Sequence, residues 1–205
     1  MCRLFALALL LLVACTPRLE SPQPTLPSPA VTFVPYQSPT PAALPTSTPG
    51  AAELLYPYTI EGLRQHAFQG GKITLLSEQE ETKVYIRYRI AYPSDGLRIT
   101  GILQIPREGK PPFPVIILNH GFFARSVYHS GDGTDRAAEF FNRHGYLTLS
   151  SDYRSWGNSD IGPSLFYSGL VTDVVNLVLA VPSIPQADPG RIGMWGHSMG
   201  GGVTM

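Results

Sequence analysis

The chain has 205 residues, 43% of them hydrophobic and 15% charged, which is enough to bury the core of one domain with segments to spare. Lys plus Arg and Asp plus Glu balance at 15 each, and a formal net charge of zero argues against a general nucleic-acid binder. Both cysteines, Cys2 and Cys15, lie at the extreme N-terminus, so the folded part holds no disulfide framework and no cysteine-based metal site.

Arg3 precedes an unbroken apolar run from Leu4 to Ala14. The run is too short to cross a bilayer core of ~30 Å as a helix, and it reads as the apolar centre of an export signal. It ends in Leu12-Val13-Ala14-Cys15, which resembles the lipobox of bacterial lipoproteins. That resemblance makes residues 1–15 a lipoprotein-type signal segment: the residues before Cys15 would be removed, Cys15 would become the lipidated N-terminus, and the protein would be extracytoplasmic and anchored to a bacterial membrane. The alternative is an ordinary secretory signal cut near Ala14. Residues 16–50 are rich in Pro, Ser and Thr, with ten of the 20 prolines between Pro17 and Pro49. Such density blocks helices and sheet ladders and favours an extended, solvated tether.

Organised sequence occupies residues 51–205. Ala51 to Gly62 is expected to be a short helix or a strand entry, and Ile73 to Leu76 a strand. Glu78 to Glu81 reads as an exposed turn. Lys83 to Tyr92 alternates, with Val84, Ile86, Tyr88 and Ile90 on one face, and Leu97 to Ile105 alternates again. Pro93-Ser94-Asp95-Gly96 between them is turn chemistry, so the two runs predict an antiparallel hairpin. Val115 to Leu118 is continuously apolar, as in a strand buried on both faces. Asp135 to His144 has helical spacing, with Ala138, Phe141 and Phe140 as inward candidates, Thr134 as N-cap and Gly145 at the C-terminal end. Tyr146 to Ser150 is the next strand. Gly169 to Val181 is a helix with Val171, Val174, Val175, Val178 and Leu179 as its apolar positions, ended by prolines. Arg191 to Trp195 is a final short strand. A hairpin followed by alternating strands and helices predicts an α/β architecture, a mostly parallel sheet with helices on both faces.

That last strand runs into Gly196-His197-Ser198-Met199-Gly200, a Gly-x-Ser-x-Gly pattern followed by small residues suited to a helix packed closely on a sheet. A strand, a sharp turn and a helix around this pattern form the context of a nucleophile elbow, in which Ser198 is held in strained backbone geometry. Two further stretches carry a family resemblance: Asn119-His120-Gly121-Phe122 after the buried strand, and Asp152-Tyr153-Arg154-Ser155-Trp156-Gly157-Asn158-Ser159 after the next. With the elbow, they make residues 83–205 resemble the first half of an α/β-hydrolase, nearest to the prolyl-oligopeptidase and dienelactone-hydrolase branches. Ser155 stands where that family usually has Gly.

The resemblance implies a serine hydrolase that cleaves acyl bonds without a cofactor. Ser198 would be the nucleophile, and the backbone N–H groups of Met199 and Phe122 the oxyanion donors. The substrate would be a small-molecule or peptide acyl compound, with peptide bonds slightly favoured and carboxylic esters as the alternative. A non-catalytic lipoprotein is the rival from another class. In this fold the acid and the histidine follow the nucleophile in the chain. The sequence stops seven residues after Ser198, so neither partner falls on a position present here, and a fragment of a longer reading frame is expected, truncated after the elbow. His66, His120, His129, His144 and His197 all precede Ser198, and none is expected to be the base. Tyr128 has a hydroxyl near the oxyanion loop but not at the expected spacing. His129, Asp132 and Asp135 read as a loop entering a helix rather than a metal site. Asp152 is expected to be structural, and Trp156 and Trp195 core or rim aromatics.

Overall fold

The computed structural model describes residues 50–205. The export signal, Cys15 and nearly all of the tether lie outside the described residues. Two short helices come first, α1 (Ala51–Leu55) and α2 (Ile60–Gln65), the second capped by Thr59, whose hydroxyl accepts from the Gly62 N–H. Six strands follow in one sheet: β1 (Thr74–Glu81), β2 (Tyr85–Ser94), β3 (Leu97–Pro106), β4 (Phe113–Asn119), β5 (Leu147–Ser151) and β6 (Ala187–Gly196). The spatial order is β1-β2-β3-β5-β4-β6. β2 pairs antiparallel with β1 and β3, β3 antiparallel with β5, and β4 parallel with both β5 and β6. Four of the six strands, β2, β4, β5 and β6, therefore run one way. The expected α/β layout with an antiparallel N-terminal hairpin is present.

The hairpin is tighter than its turn signal suggests. Ser94 pairs directly with Leu97, leaving Asp95 and Gly96 as a two-residue loop with φ of 48° and 78°. Left-handed geometry at both positions matches the twist of the flanking strands, which is why Asp-Gly suits it. Glu78 to Glu81 is not a turn: it continues β1, paired with β2 through two irregularities. The strand is exposed along its whole length. Four polar or charged residues at a sheet edge look like a loop in sequence, yet such residues also protect an edge from pairing with another chain.

Helix α3 (Asp135–Arg143) and helix α4 (Ser168–Ala180) lie on opposite faces. Strand alternation shows this. Arg87 on β2 reaches Asp135 of α3, whereas Ser94, seven residues on and of opposite parity, donates to Asp173 of α4. The core between sheet and helices is built from Ile90, Ile99, Val115, Ile117, Leu147, Leu149, Leu170 and Leu177, all inaccessible to solvent. α3 turns Ala138 and Asn142 inward, and Phe140 is exposed. His144 caps the helix, and Gly145 takes a φ of 78°. Thr134 holds the N-cap position, but its hydroxyl bonds the Gly131 carbonyl and Ser150 rather than the helix. α4 is apolar nearly all round, and this conceals which face is buried. Its buried side carries Leu170, Val174 and Leu177 with polar Asp173 and Asn176, while Leu179 faces outward.

Candidate active site

Strand β6 ends at Gly196 and helix α5 (Met199–Thr204) begins three residues later. Ser198, between them, has φ 53° and ψ −120°, a conformation costly for any residue with a side chain. Two glycines make this corner buildable. A Cβ on Gly200 would overlap the carbonyls of Asn119 and His120 at the end of β4, and one on Gly196 would overlap the Gly200 carbonyl and the Thr204 hydroxyl. The first and last positions of the Gly-x-Ser-x-Gly pattern are thus fixed by backbone running against backbone. The corner is also tied to β4 by hydrogen bonds. The His197 N–H donates to the Asn119 carbonyl at 3.3 Å, and the Asn119 side-chain amide donates to Thr204 Oγ1 at 2.9 Å.

The loop after β4 closes against the same serine. A Cβ on Gly121 would stand 3.4 Å from Ser198 Cβ and 3.3 Å from the His197 carbonyl oxygen. Phe122 is the next residue, two-thirds exposed, and its ring lines a cleft together with Ser198 and Met199. Met199 opens α5, so its N–H has no acceptor within the helix. The structure therefore gathers Ser198, Met199 and Phe122 at one corner. Ser198 is exposed and makes no hydrogen bond through its hydroxyl among the described residues.

Beneath the corner lies a buried aromatic and polar cluster. The His120 ring sits between Tyr128 and Tyr153, with centroids 4.5 and 4.3 Å away. Its Nδ1 faces the Gly121 carbonyl at 2.6 Å and its Nε2 the Asp152 carbonyl at 3.2 Å. Burial lowers the His120 pKa, against the pull of those two carbonyls. Asp152 is fully buried and accepts from Thr100 Oγ1 and Ser130 Oγ at 2.6 Å each and from the Tyr128 hydroxyl at 2.9 Å. It is a structural hub, as expected. The Tyr128 hydroxyl is spent on this carboxylate, and burial beside it drives the phenol pKa far upward.

The remaining candidates are placed as follows. Asp132 accepts from the His129 N–H, and Asp135 pairs with Arg87 at 2.8 Å. His66 meets Asp95, and His144 Nδ1 contacts the Phe140 carbonyl. No described histidine is hydrogen-bonded to Ser198. Trp156 is buried, with its indole N–H on the Phe123 carbonyl, and Trp195 is half-buried on β6. Ser155 has a φ of 71°, left-handed geometry that explains why glycine is usual at that place; its hydroxyl accepts from the Gly162 N–H at 3.2 Å.

One pair of residues beside the serine has no counterpart in the sequence reading. Phe166 and Tyr167 are consecutive, both left-handed at φ 51° and 62°, both exposed, and both on the cleft that contains Ser198. Left-handed turns are read in sequence from Gly and Asn, and two aromatic residues give no such signal.

A family model described as acetyl xylan esterase (AXE1) matches residues 156–205. An uncharacterised 31.7 kDa protein of Escherichia coli, encoded in a traX-finO intergenic region, is 33% identical over 111 residues. The match covers 53% of this chain and 36% of that protein. Lysophosphatidylserine lipase ABHD12 of Xenopus tropicalis is 33% identical over 92 residues, 45% of this chain and 22% of the lipase. The chain thus spans well under half the length of the curated relatives it matches. The crystal structure of acetyl xylan esterase 1 from Thermoanaerobacterium sp. JW/SL YS485 superposes with a TM-score of 0.52 at 22% identity, over 65% of this chain and 47% of that one. That likeness shows a shared fold. With the sheet order and the strand–turn–helix corner, it gives this chain the α/β-hydrolase fold.

Proposed function

We propose that the protein is a carboxylic ester hydrolase with Ser198 as its nucleophile. The observation that carries this reading is the strained, exposed Ser198 between β6 and α5, with the Met199 N–H unsatisfied by the helix and the Gly121-Phe122 loop closed against it. Ser198 Oγ attacks the ester carbonyl carbon, and the Oγ–carbon bond forms as the hydroxyl proton passes to a base. The N–H groups of Met199 and Phe122 hold the oxyanion. The carbon–alkoxy bond then breaks, and the alcohol leaves with that proton. Water attacks the acyl-serine and releases the carboxylic acid. In this fold the activating imidazole and its acid follow the nucleophile in the chain. The five histidines described here are engaged elsewhere or belong to the loops that shape the corner.

The ester side of the expected acyl chemistry is favoured over the peptide side because the matched family model and the Thermoanaerobacterium structure are described as acetyl xylan esterases and the Xenopus relative as a lipase. The test uses the full-length gene product. Hydrolysis of p-nitrophenyl acetate and labelling by a fluorophosphonate should both be present and both be lost in Ser198→Ala, with kcat down by at least about a thousandfold. Turnover that survives the substitution would sink the assignment.

A further inference from the structure

The reading of Ser198 as nucleophile leaves open what part of a substrate the surrounding surface holds. The cleft beside it has a volume of about 460 Å³, within the usual range of small-molecule sites. Its side-chain walls are Phe122, Phe166, Tyr167, Val171, Met199 and Val203, and Ser198 lines it with them. No charged side chain lines it among the described residues. Phe122, Phe166 and Tyr167 are 67%, 73% and 56% exposed, three aromatic rings facing water around one serine. Apolar surface of this kind is stabilised by an apolar occupant.

The backbone under two of these rings is strained. Phe166 and Tyr167 both occupy the left-handed region immediately before α4, and neither is glycine. Side chains held this way cluster at ligand clamps, where the surrounding structure enforces them. Here the enforcing structure is the start of α4. The Ser168 hydroxyl donates to the Leu165 carbonyl at 2.7 Å, and Gly169 is packed tightly enough on Pro163 and Arg154 that a Cβ there would collide. The turn therefore presents Phe166 and Tyr167 outward rather than folding them into the core.

We propose that this cleft is an acyl-chain subsite, and that Phe166 and Tyr167 set a preference for esters of medium-length apolar carboxylic acids over acetate. The proposal rests on the ester-hydrolase reading of Ser198. The acyl part is favoured over the alcohol part by the chemistry. After the alcohol leaves, the acyl group alone stays bonded to Ser198, so a cleft that includes Ser198 holds it through both attack and release. Walls without a charged side chain suit an apolar chain and offer no counter-charge to a carboxylate.

The experiment is a chain-length series on the full-length enzyme, with p-nitrophenyl esters from acetate to octanoate below their solubility limits. Each methylene buried should raise kcat/KM by about two- to fourfold, so that octanoate, six methylenes longer, exceeds acetate by at least about sixtyfold. In Phe166→Ala/Tyr167→Ala the octanoate-to-acetate ratio should fall by about tenfold, while Phe166→Leu, which keeps apolar bulk, should retain most of it. A parallel series of acetate esters of longer alcohols should show a flat profile. A profile that peaks at acetate, or one that follows the alcohol instead, would overturn the proposal without need of any variant. Ser198→Ala separates the two levels. If it abolishes turnover while the length profile is flat, the subsite fails and the nucleophile stands; if turnover persists in Ser198→Ala, the nucleophile reading itself fails.

Discussion

At the scale of single residues, the corner at Ser198 is held by what two glycines lack. The Gly200 α-carbon lies where β4 delivers the carbonyls of Asn119 and His120. These are backbone atoms of a strand paired on both sides, so they cannot swing away as a flexible side chain would. Gly200→Ala should therefore destabilise the fold by about 2–3 kcal/mol, the range of overpacking in a tight core. It should also displace α5 and with it the Met199 N–H. Urea denaturation checks the first effect, and loss of fluorophosphonate labelling in the protein that remains folded checks the second. A Gly200→Ala protein as stable as its parent would show that β4 and α5 stand further apart than described. Gly202, with nothing near its absent Cβ, should tolerate the same change, so the two substitutions separate close approach from helix propensity.

At the scale of elements, the helix α4 is fixed by a buried ion pair rather than by apolar contact alone. Asp173 is fully buried and receives Arg154 through Nη2 at 2.9 Å and Nε at 3.1–3.2 Å, the Arg154 N–H at 2.7 Å and the Ser94 hydroxyl at 2.7 Å. One carboxylate thus joins α4, the loop after β5 and the β2–β3 hairpin. Burial pushes the Asp173 carboxyl above its ordinary pKa, against the pull of Arg154 and Ser94. Asp173→Asn would leave the Arg154 guanidinium buried without a counter-charge, and should cost about 3–5 kcal/mol. The exposed Arg143–Glu139 pair on α3 is the comparison, since Glu139→Gln should cost less than about 1 kcal/mol. Matched denaturation midpoints for the two variants would mean that the buried pair is solvated and the argument wrong. The same contrast explains what was legible in the sequence. The hairpin, the β4 run and the β6–α5 corner carry alternation, continuous apolarity and paired glycines, so their type and place can be read directly. The face of α4 and the full length of β1 cannot. Asp173 and Asn176 are inward because of partners about 20 to 80 residues away, and glutamates enter β1 because β2 offers a ladder. Long-range partners leave no local period.

At the scale of the whole molecule, the site is legible as far as its backbone and illegible in its specificity. Ser198, Met199 and Phe122 follow from two short motifs, whereas the aromatic wall at Phe166 and Tyr167 depends on how α4 begins. The N-terminal segment, by contrast, lies outside the described residues, and its role rests on sequence chemistry. We propose that Cys15 carries lipid and that residues 16–50 hold the catalytic unit away from a membrane surface. At ~3.1 Å per residue, an extended Pro-rich chain of that length reaches on the order of 100 Å. A single acyl chain anchors only marginally, and stable attachment takes more than one. Expressed in a bacterium, the full-length protein should sediment with membranes, and Cys15→Ser should shift esterase activity to the soluble extracytoplasmic fraction without changing kcat on a soluble ester. Incorporation of radiolabelled palmitate should be lost in the same variant. If Cys15→Ser stays with the membrane and no label was present to lose, the lipid-anchor reading of Cys15 fails. If the unaltered protein is itself soluble and begins near Cys15, an ordinary cleaved signal is the right reading. In both cases the ester chemistry proposed at Ser198 stands apart from the outcome, because it makes no use of Cys15.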